Sequence, residues 1–360
     1  MPDDLEDSII QHQFYLIQLG NWYGKMIDKP LAKVRDYISA RLMQEGDIIS
    51  SQKDLKKAQK DIKKRSTREL SKFVTEIEKA LPTITDQENE FYSEAIEGAI
   101  AEPVKVDKPK NARILATALA LSMPIGPKQS GVTLSSIIND YTPRETKRII
   151  NRVSAGYSQG EPVSQIITSI NGTRRNRYKD GLLNLTRTNA FSMTQTMLPQ
   201  ISSVTQEKTN GLNPDIVIGY RLVAVLDKNT TDICKGWDGT EIIYKKTQRR
   251  PHPPFHYSCR TTETPITSNK YDVSQNNMRI AQGADGAQKV SEKTTYYEWL
   301  KRQPAGFQDD ALGKTKGKIF RNAGLSTQQF KQDTVRQNGL PLTIEEMARK
   351  NKKVNSYLNK

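Results

Sequence analysis

Ten residues, PHPPFHYSCR at 251–260, hold two of the chain's three histidines and one of its two cysteines. Imidazole and thiolate are the side chains with which proteins bind Zn²⁺ in a tetrahedral site. Cys234, His256 and Cys259 would supply three such ligands. A fourth would come from one of two further residues, His252 or Asp232. The spacing differs from the usual paired Cys-x-x-Cys knuckles, so zinc is one interpretation among several.

Three other interpretations of the same residues stay open. His256 and Cys259 are three residues apart, close enough for a nucleophile and its base, but no glutamine- or glycine-flanked nucleophile elbow surrounds them. A contact or redox-dependent bridge between Cys234 and Cys259 is the second, and plain buried packing is the third. The prolines at 251, 253 and 254 restrict the backbone in every case.

Composition limits the class of protein. The chain has 360 residues, 35% of them hydrophobic, and 55 Lys and Arg against 40 Asp and Glu give a net charge of +15. Such a charge attracts polyanions, which makes nucleic acid the first candidate partner and a membrane surface the second. The apolar run 114–125 is too short to span a bilayer, and the acidic N-terminus is unlike a signal peptide. We expect a soluble protein without a membrane anchor, made in a cytoplasm.

Helical periodicity dominates the first hundred residues, with breaks expected at Pro30 and Pro82. The stretch 53–70 carries a narrow apolar stripe among many basic residues, so it is either a solvated helix face or a helix that contacts phosphates. The candidate DNA contacts are Lys56, Lys57, Lys60, Lys63, Lys64 and Arg65, together with the cluster Arg174, Arg175 and Arg177.

The remaining pattern predicts an α+β fold that is mostly helical, with one small antiparallel β-rich unit. A helix is expected to begin at Pro143 after a Thr142 cap, strands are expected at 215–226 and 260–266, and 268–290 looks like loop. The predicted organisation is a long-helix arm or bundle (1–100), a linker and small helix (101–142), a helical bundle (143–212), the β-rich unit (213–270), and a loop with a C-terminal helical region and basic tail (271–360).

The order of particular residues resembles a known family. The resemblance is carried by Asp227, Thr231, Asp232, Cys234, Trp237 and Gly239, followed by Pro253, Pro254, His256, Cys259, Arg260 and Pro265. This order resembles the signature of the phage Mu F-like minor head (head morphogenesis) proteins. The helix segment with Arg187 and Thr188 looks like that family's Arg-Thr-Glu helix, and YYEWLKRQPAGFQ resembles the segment that often follows. Together the matches cover roughly residues 143–345.

Three positions depart from the family pattern. Asn189 stands where the family usually has Glu, which puts a polar contact to the β-rich unit in doubt. The residues after Cys234 lack a second cysteine, and Thr261 occupies a position where another cysteine is common. A four-cysteine metal site is therefore excluded, and the chemistry of the loop is expected to be structural. Asp227 and Asp232 are expected to be turn and cap residues, because Asp at a turn accepts hydrogen bonds from the backbone that follows it.

The resemblance implies a structural protein of a tailed phage, not an enzyme, that acts at the portal vertex in head morphogenesis and in handling packaged DNA. It also implies location in the virion head after synthesis in the host cytoplasm. The expected partners are the portal protein, other head proteins, double-stranded DNA bound without sequence preference, and further copies of the chain around the portal. The alternative is a metal-dependent nuclease or a toxin-like effector delivered with the genome.

Overall fold

The computed structural model describes residues 5–125, 131–245, 250–271, 278–336 and 339–359. Long helices make up most of it, and three small antiparallel sheets make up the rest. This confirms the predicted fold class, a mostly helical α+β protein. None of the helices in the described ranges is long and apolar enough to cross a membrane.

Seven helices form the N-terminal two thirds of the chain. They are α1 (Leu5–Lys25), α2 (Asp28–Met43), α3 (Gln52–Ala99), α4 (Asn111–Ala120), α5 (Leu134–Ser158), α6 (Val163–Asn171) and α7 (Leu182–Leu212). Two-residue strands β1 (Ser122–Met123) and β2 (Val132–Thr133) pair between α4 and α5. Most of the buried apolar residues of these helices belong to one hydrophobic core that extends from Leu16 to Val204, while the start of α1 and the end of α3 contribute to another. The stretches that the sequence divides at residues 100 and 142 therefore share a core.

Two prolines that were expected to limit helices lie inside them. Helix α3 continues through Pro82, and α5 continues through Pro143, so the expected break and the expected helix start are wrong. Helix α5 instead begins after Thr133, whose Oγ1 accepts a hydrogen bond from the N–H of Ser136 at 3.1 Å. Both prolines are exposed, so water can hydrate the carbonyl that each leaves without its helical donor.

A three-stranded sheet follows α7. Its strands are β3 (Val217–Ala224), β4 (Thr240–Ile243) and β5 (Thr261–Thr267), with the short helix α8 (Asp232–Trp237) between β3 and β4. The order is β4–β3–β5, and both pairings are antiparallel, with Tyr220 opposite Ile242 on one side and Pro265 on the other. Pro265 lies on an edge strand, where the missing N–H breaks no ladder. We call this sheet, α8 and the loop 250–260 the β-rich unit.

A β-hairpin lies where the sequence predicted loop. Strands β6 (Met278–Gly283) and β7 (Gly286–Ser291) pair in register, so the loop expectation is wrong there; residues 272–277 lie outside the described part. Short helices complete the chain: α9 (Tyr296–Lys301), α10 (Ala305–Leu312), α11 (Lys314–Asn322), α12 (Thr327–Thr334), α13 (Ile344–Lys350) and α14 (Lys352–Leu358). They surround a second core that contains Trp299, Phe320 and Phe330.

One buried ion pair joins the hairpin to the β-rich unit. Arg279 of β6 and Asp238 at the end of α8 are 2% and 0% exposed, and Nη2 lies 3.0 Å from Oδ1. Asp238 also accepts hydrogen bonds from the N–H groups of Ala224 and Tyr296, and Arg279 donates to the carbonyls of Ala224 and Thr294. These bonds link β3, β6 and α9 at one point.

Candidate metal centre and basic surfaces

Two local structures bring the cysteine-bearing segments together. After β3, Asp227 Oδ1 accepts hydrogen bonds from the N–H groups of Asn229 and Thr230, which is the predicted role of a turn residue. Thr231 then caps α8, and its Oγ1 accepts from the N–H of Cys234. At the far end of the loop, Arg260 pairs with the Asp227 carboxylate. The turn and the end of the loop are thereby held side by side.

Cys234, His256 and Cys259 form one group. Cys234 Sγ lies 2.9 Å from His256 Nε2 and 3.6 Å from Cys259 Sγ. One potential ligand atom from each residue lies within 4.8 Å of the others. The two sulfurs are too far apart for a disulfide, whose S–S bond is about 2.05 Å, so both are free thiols. Both cysteines are buried.

The ring of His256 is oriented for ligation through Nε2. Its Nδ1 lies 2.8 Å from the carbonyl oxygen of Tyr257, and because a carbonyl can only accept, Nδ1 carries the proton. Nε2 faces Cys234 Sγ and also Thr231 Oγ1, which is 2.7 Å away. It donates a proton to these groups while the ring is charged, and it offers a lone pair to a metal once the ring is neutral. Metal-binding histidines in proteins commonly donate their second ring nitrogen to a carbonyl in this way.

Electrostatics make Cys234 the more acidic of the two thiols. Burial raises its pKa, but the hydrogen bond from Cys259 and the neighbouring His256 imidazolium outweigh burial, so the net pKa lies well below its usual value. Burial and the Cys234 thiolate raise the pKa of Cys259. Burial lowers the pKa of His256, yet Cys234 raises it on balance. A bound metal would displace the protons of Cys259 and His256, because only thiolates and neutral imidazoles act as ligands. The resulting two sulfurs and one nitrogen fit a soft divalent metal such as Zn²⁺.

The two predicted fourth ligands have other partners. His252 Nδ1 lies 2.8 Å from Oε1 of the buried Glu263. Burial lowers the pKa of His252, but Glu263 raises it on balance; burial also raises the pKa of Glu263. Asp232 was expected to cap a helix, but Thr231 is the cap of α8 and Asp232 is its first residue, so that expectation is wrong. Its carboxylate accepts from Lys235 Nζ at 3.1 Å and Lys316 Nζ at 2.7 Å. The structure brings together three of the four residues proposed for a metal, without His252.

The other motif residues near the loop have packing roles. Pro253 and Pro254 are buried, and the peptide bond between them is cis. The ring of Trp237 stacks on Phe255 with centroids 5.4 Å apart. Gly239 has φ +72°, in the left-handed region that favours glycine, and its N–H donates to the carbonyl of Leu222. These residues close the β-rich unit around the thiols.

The residues of the predicted Arg-Thr helix lie on α7 and contact other helices. The Arg187 guanidinium forms two hydrogen bonds with Asp28, at 2.6 and 3.2 Å, which tie α7 to the start of α2. Thr188 donates its hydroxyl to the carbonyl of Asn184. Asn189 Nδ2 donates to Glu145 Oε1 of α5 at 3.0 Å, so its polar contact is made within the helices rather than to the β-rich unit.

The predicted basic residues fall into two groups. Five lysines of α3 are exposed, and no ion pair joins them to any residue in the described ranges: Lys56, Lys57, Lys60, Lys63 and Lys64. Arg65 differs, because it pairs with the buried Glu69 at 3.2 Å and lies over the Tyr37 ring. Arg174, Arg175 and Arg177 are exposed in the turn that precedes α7.

Sequence reasoning missed two participants. Thr231, which contacts His256, could have been identified from the sequence, because Thr followed by Asp at a helix start is a common cap pattern. No sequence pattern identifies Glu263 as the partner of His252, because the two residues meet only through the placement of β5 beside the loop.

No family model, curated protein or solved structure matches this chain. The resemblance to minor head proteins therefore rests on the quoted residues themselves.

Proposed function

We propose that this protein is a structural component of a tailed bacteriophage head, and that it contacts packaged DNA through the phosphate backbone at the portal vertex. The ordered motif residues support the phage assignment. The observation that carries the DNA contact is the row of five exposed lysines on α3 that pair with no described acid. The proposed partners are the portal protein, other head proteins and further copies of the chain. The proposed location is the virion head.

Helical geometry puts these lysines on one side of α3. Their spacing of i, i+1, i+4, i+7 and i+8 follows the helical repeat, and Leu55, Ala58 and Ile62 are buried on the other side. Nine residues of helix span about 12 Å between the first and the last, a length over which duplex DNA presents about seven phosphates. Like charges at this spacing repel one another in the free protein. DNA relieves that repulsion and releases its own counterions, so binding needs no base contact.

Position in the particle tests the assignment. Purified virions, examined by electron microscopy with an antibody fragment against the chain, are expected to show label at the portal vertex and at no other vertex. The portal protein is expected to copurify with the chain. Label on the tail alone, or particles without the chain, would refute the assignment.

We further propose that Cys234, His256 and Cys259 bind one Zn²⁺ that supports the β-rich unit. The support is the Nε2 orientation of His256 and the two adjacent sulfurs. Elemental analysis of reduced, untagged protein is expected to give about one zinc per chain. Less than about half an equivalent would contradict the proposal.

A second function has one observation in its favour. Three protein ligands leave a fourth metal position open, as in catalytic zinc sites, which suits a metal-dependent nuclease. The burial of both sulfurs favours the structural role. Metal-dependent cleavage of plasmid DNA that disappears in His256→Ala would establish the nuclease and overturn the structural proposal.

A further inference from the structure

The turn between α6 and α7 is a closed loop. Asp180 accepts three hydrogen bonds, from the N–H and Oγ1 of Thr173 and from Nδ2 of Asn176, at 2.7–2.8 Å. Gly172 and Gly181 meet where the loop closes: a Cβ on Gly181 would lie 2.2 Å from the Gly172 nitrogen. The two ends therefore approach as closely as the backbone allows, and residues 173–180 project as one defined unit.

Two residues of this loop have an unfavourable backbone conformation. Arg177 and Tyr178 have φ of +52° and +60°, the left-handed region in which a side chain costs about 1–2 kcal/mol. Neither is glycine, and both side chains are exposed. Strain of this kind is retained mainly where it positions side chains for a ligand. Here it presents a cation and an aromatic ring next to each other.

These side chains line a cavity of about 370 Å³ between the loop, α2 and the start of α7. Four cationic residues face one carboxylate, that of Asp28, across it: Arg35, Arg177, Lys179 and Arg187. Arg187 is paired with Asp28, and Arg35 with Asp36. Arg177 and Lys179 have no ion pair with any residue in the described part of the chain. The cavity therefore has unbalanced positive charge.

Tyr178 supplies a flat surface beside that charge. Its side chain is 46% exposed, and the Arg35 guanidinium lies 5.9 Å from the ring centroid. An aromatic ring next to free cations is the arrangement with which proteins bind unpaired nucleotides, since the ring stacks on a base and the cations hold the backbone. A duplex offers its phosphates to the cations, but its bases are already stacked on each other.

We propose that this cavity binds an unpaired nucleotide of single-stranded nucleic acid, with the phosphate held by Arg177 and Lys179 and the base stacked on Tyr178. The proposal rests on the proposed nucleic-acid function but uses a different surface from the lysines of α3. The loop would distinguish single-stranded from double-stranded nucleic acid, and the five lysines of α3 would bind the phosphate backbone of either.

Fluorescence anisotropy of the full chain tests this, with labelled oligothymidylate and a duplex of the same length as probes. Tyr178→Leu is expected to weaken oligothymidylate binding about fivefold or more and to leave duplex binding unchanged. Tyr178→Phe keeps the ring and should bind as the wild type does. Tyr15→Leu is the matched control, because Tyr15 is 48% exposed on α1. Thermal melts verify that each variant is folded.

The outcomes separate the two proposals. Equal oligothymidylate affinity in Tyr178→Leu and Tyr15→Leu overturns the nucleotide site, and so does an equal loss for duplex and single strand. Glutamine at the five lysines of α3 is expected to weaken duplex binding. If that variant binds duplex normally while Tyr178→Leu loses the single strand, the backbone contact of α3 fails and the nucleotide site stands.

Discussion

The β-rich unit and helix α3 hold their charged groups in opposite ways. In and around the β-rich unit, charges are enclosed and matched: Arg279 with Asp238, Lys235 with Asp232, His252 with Glu263. On the 56–64 stretch of α3, five exposed lysines have no ion pair with any described residue. Enclosed charges need their partners for the protein to fold. Exposed ones cost little and remain available to a polyanion. The enclosed pairs therefore serve stability, and the exposed lysines are the groups that the proposed DNA contact would use.

The largest expected effect is a difference in zinc content between variants of two histidines in the β-rich unit, which are four residues apart in the sequence. His256→Ala removes the nitrogen that faces the thiols, so zinc content is expected to fall from about one equivalent to near zero. His252→Ala leaves those ligands in place and should retain the metal, because His252 contacts Glu263 instead. Elemental analysis after dialysis against trace zinc measures both. Equal zinc in the two variants would show that the thiol group is not the site.

Breaking the buried ion pair is expected to cost about 3–5 kcal/mol of unfolding free energy. Arg279→Met leaves Asp238 charged and 0% exposed, without its partner. The control is Lys79→Gln on α3, whose pair with Glu76 is exposed on both sides and should change stability by less than about 0.5 kcal/mol. Urea denaturation measures both. Similar small losses would remove the distinction between enclosed and exposed charge.

A pH dependence is expected where α1 meets the sheet. Burial raises the pKa of Glu6 from 4.5 to about 7, against the lowering effect of Arg221. The folded state therefore holds a proton that the unfolded chain has released, and the unfolding free energy falls as pH rises from 4.5 to 7. The fall is about 3 kcal/mol. Glu6→Gln cannot ionise and should flatten this part of the profile in urea titrations. An unchanged slope in that variant would contradict the assignment.

Sequence patterns predicted the helices well and their ends less well. Apolar spacing identified α3 from Leu70 to Leu81, and the structure confirms it. The predictions at Pro82 and Pro143 were wrong because a proline is tolerated inside a helix when water hydrates the carbonyl that it leaves unpaired. Whether that carbonyl is exposed depends on how the helix packs. The β6–β7 hairpin was missed because its strands are short and polar. The two-residue turn between them is Ala284-Asp285, and Gly286 begins β7, so the Asp285-Gly286 dipeptide lies one residue away from the position that marks a hairpin turn.

The candidate site was predictable only in part. Residue types and proline spacing predicted that Cys234, His256 and Cys259 come together, and their sulfur and nitrogen distances agree. The direction of each histidine was not predictable, since His252 and His256 share one loop and face different neighbours. The sequence indicated the strained loop before α7 only as a basic cluster, because the residue types of Arg177 and Tyr178 do not predict their positive φ angles.

The most direct test of the central claim is the salt dependence of duplex DNA binding with the α3 lysines replaced. The test variant carries glutamine at Lys56, Lys57, Lys60, Lys63 and Lys64, and the control carries it at five exposed lysines elsewhere: Lys25, Lys29, Lys33, Lys105 and Lys110. Each phosphate contact contributes about 0.9 to the slope of log K against log salt. The account predicts a slope shallower by up to about 4.5 in the test variant and little change in the control. Equal slopes in the two variants would contradict it.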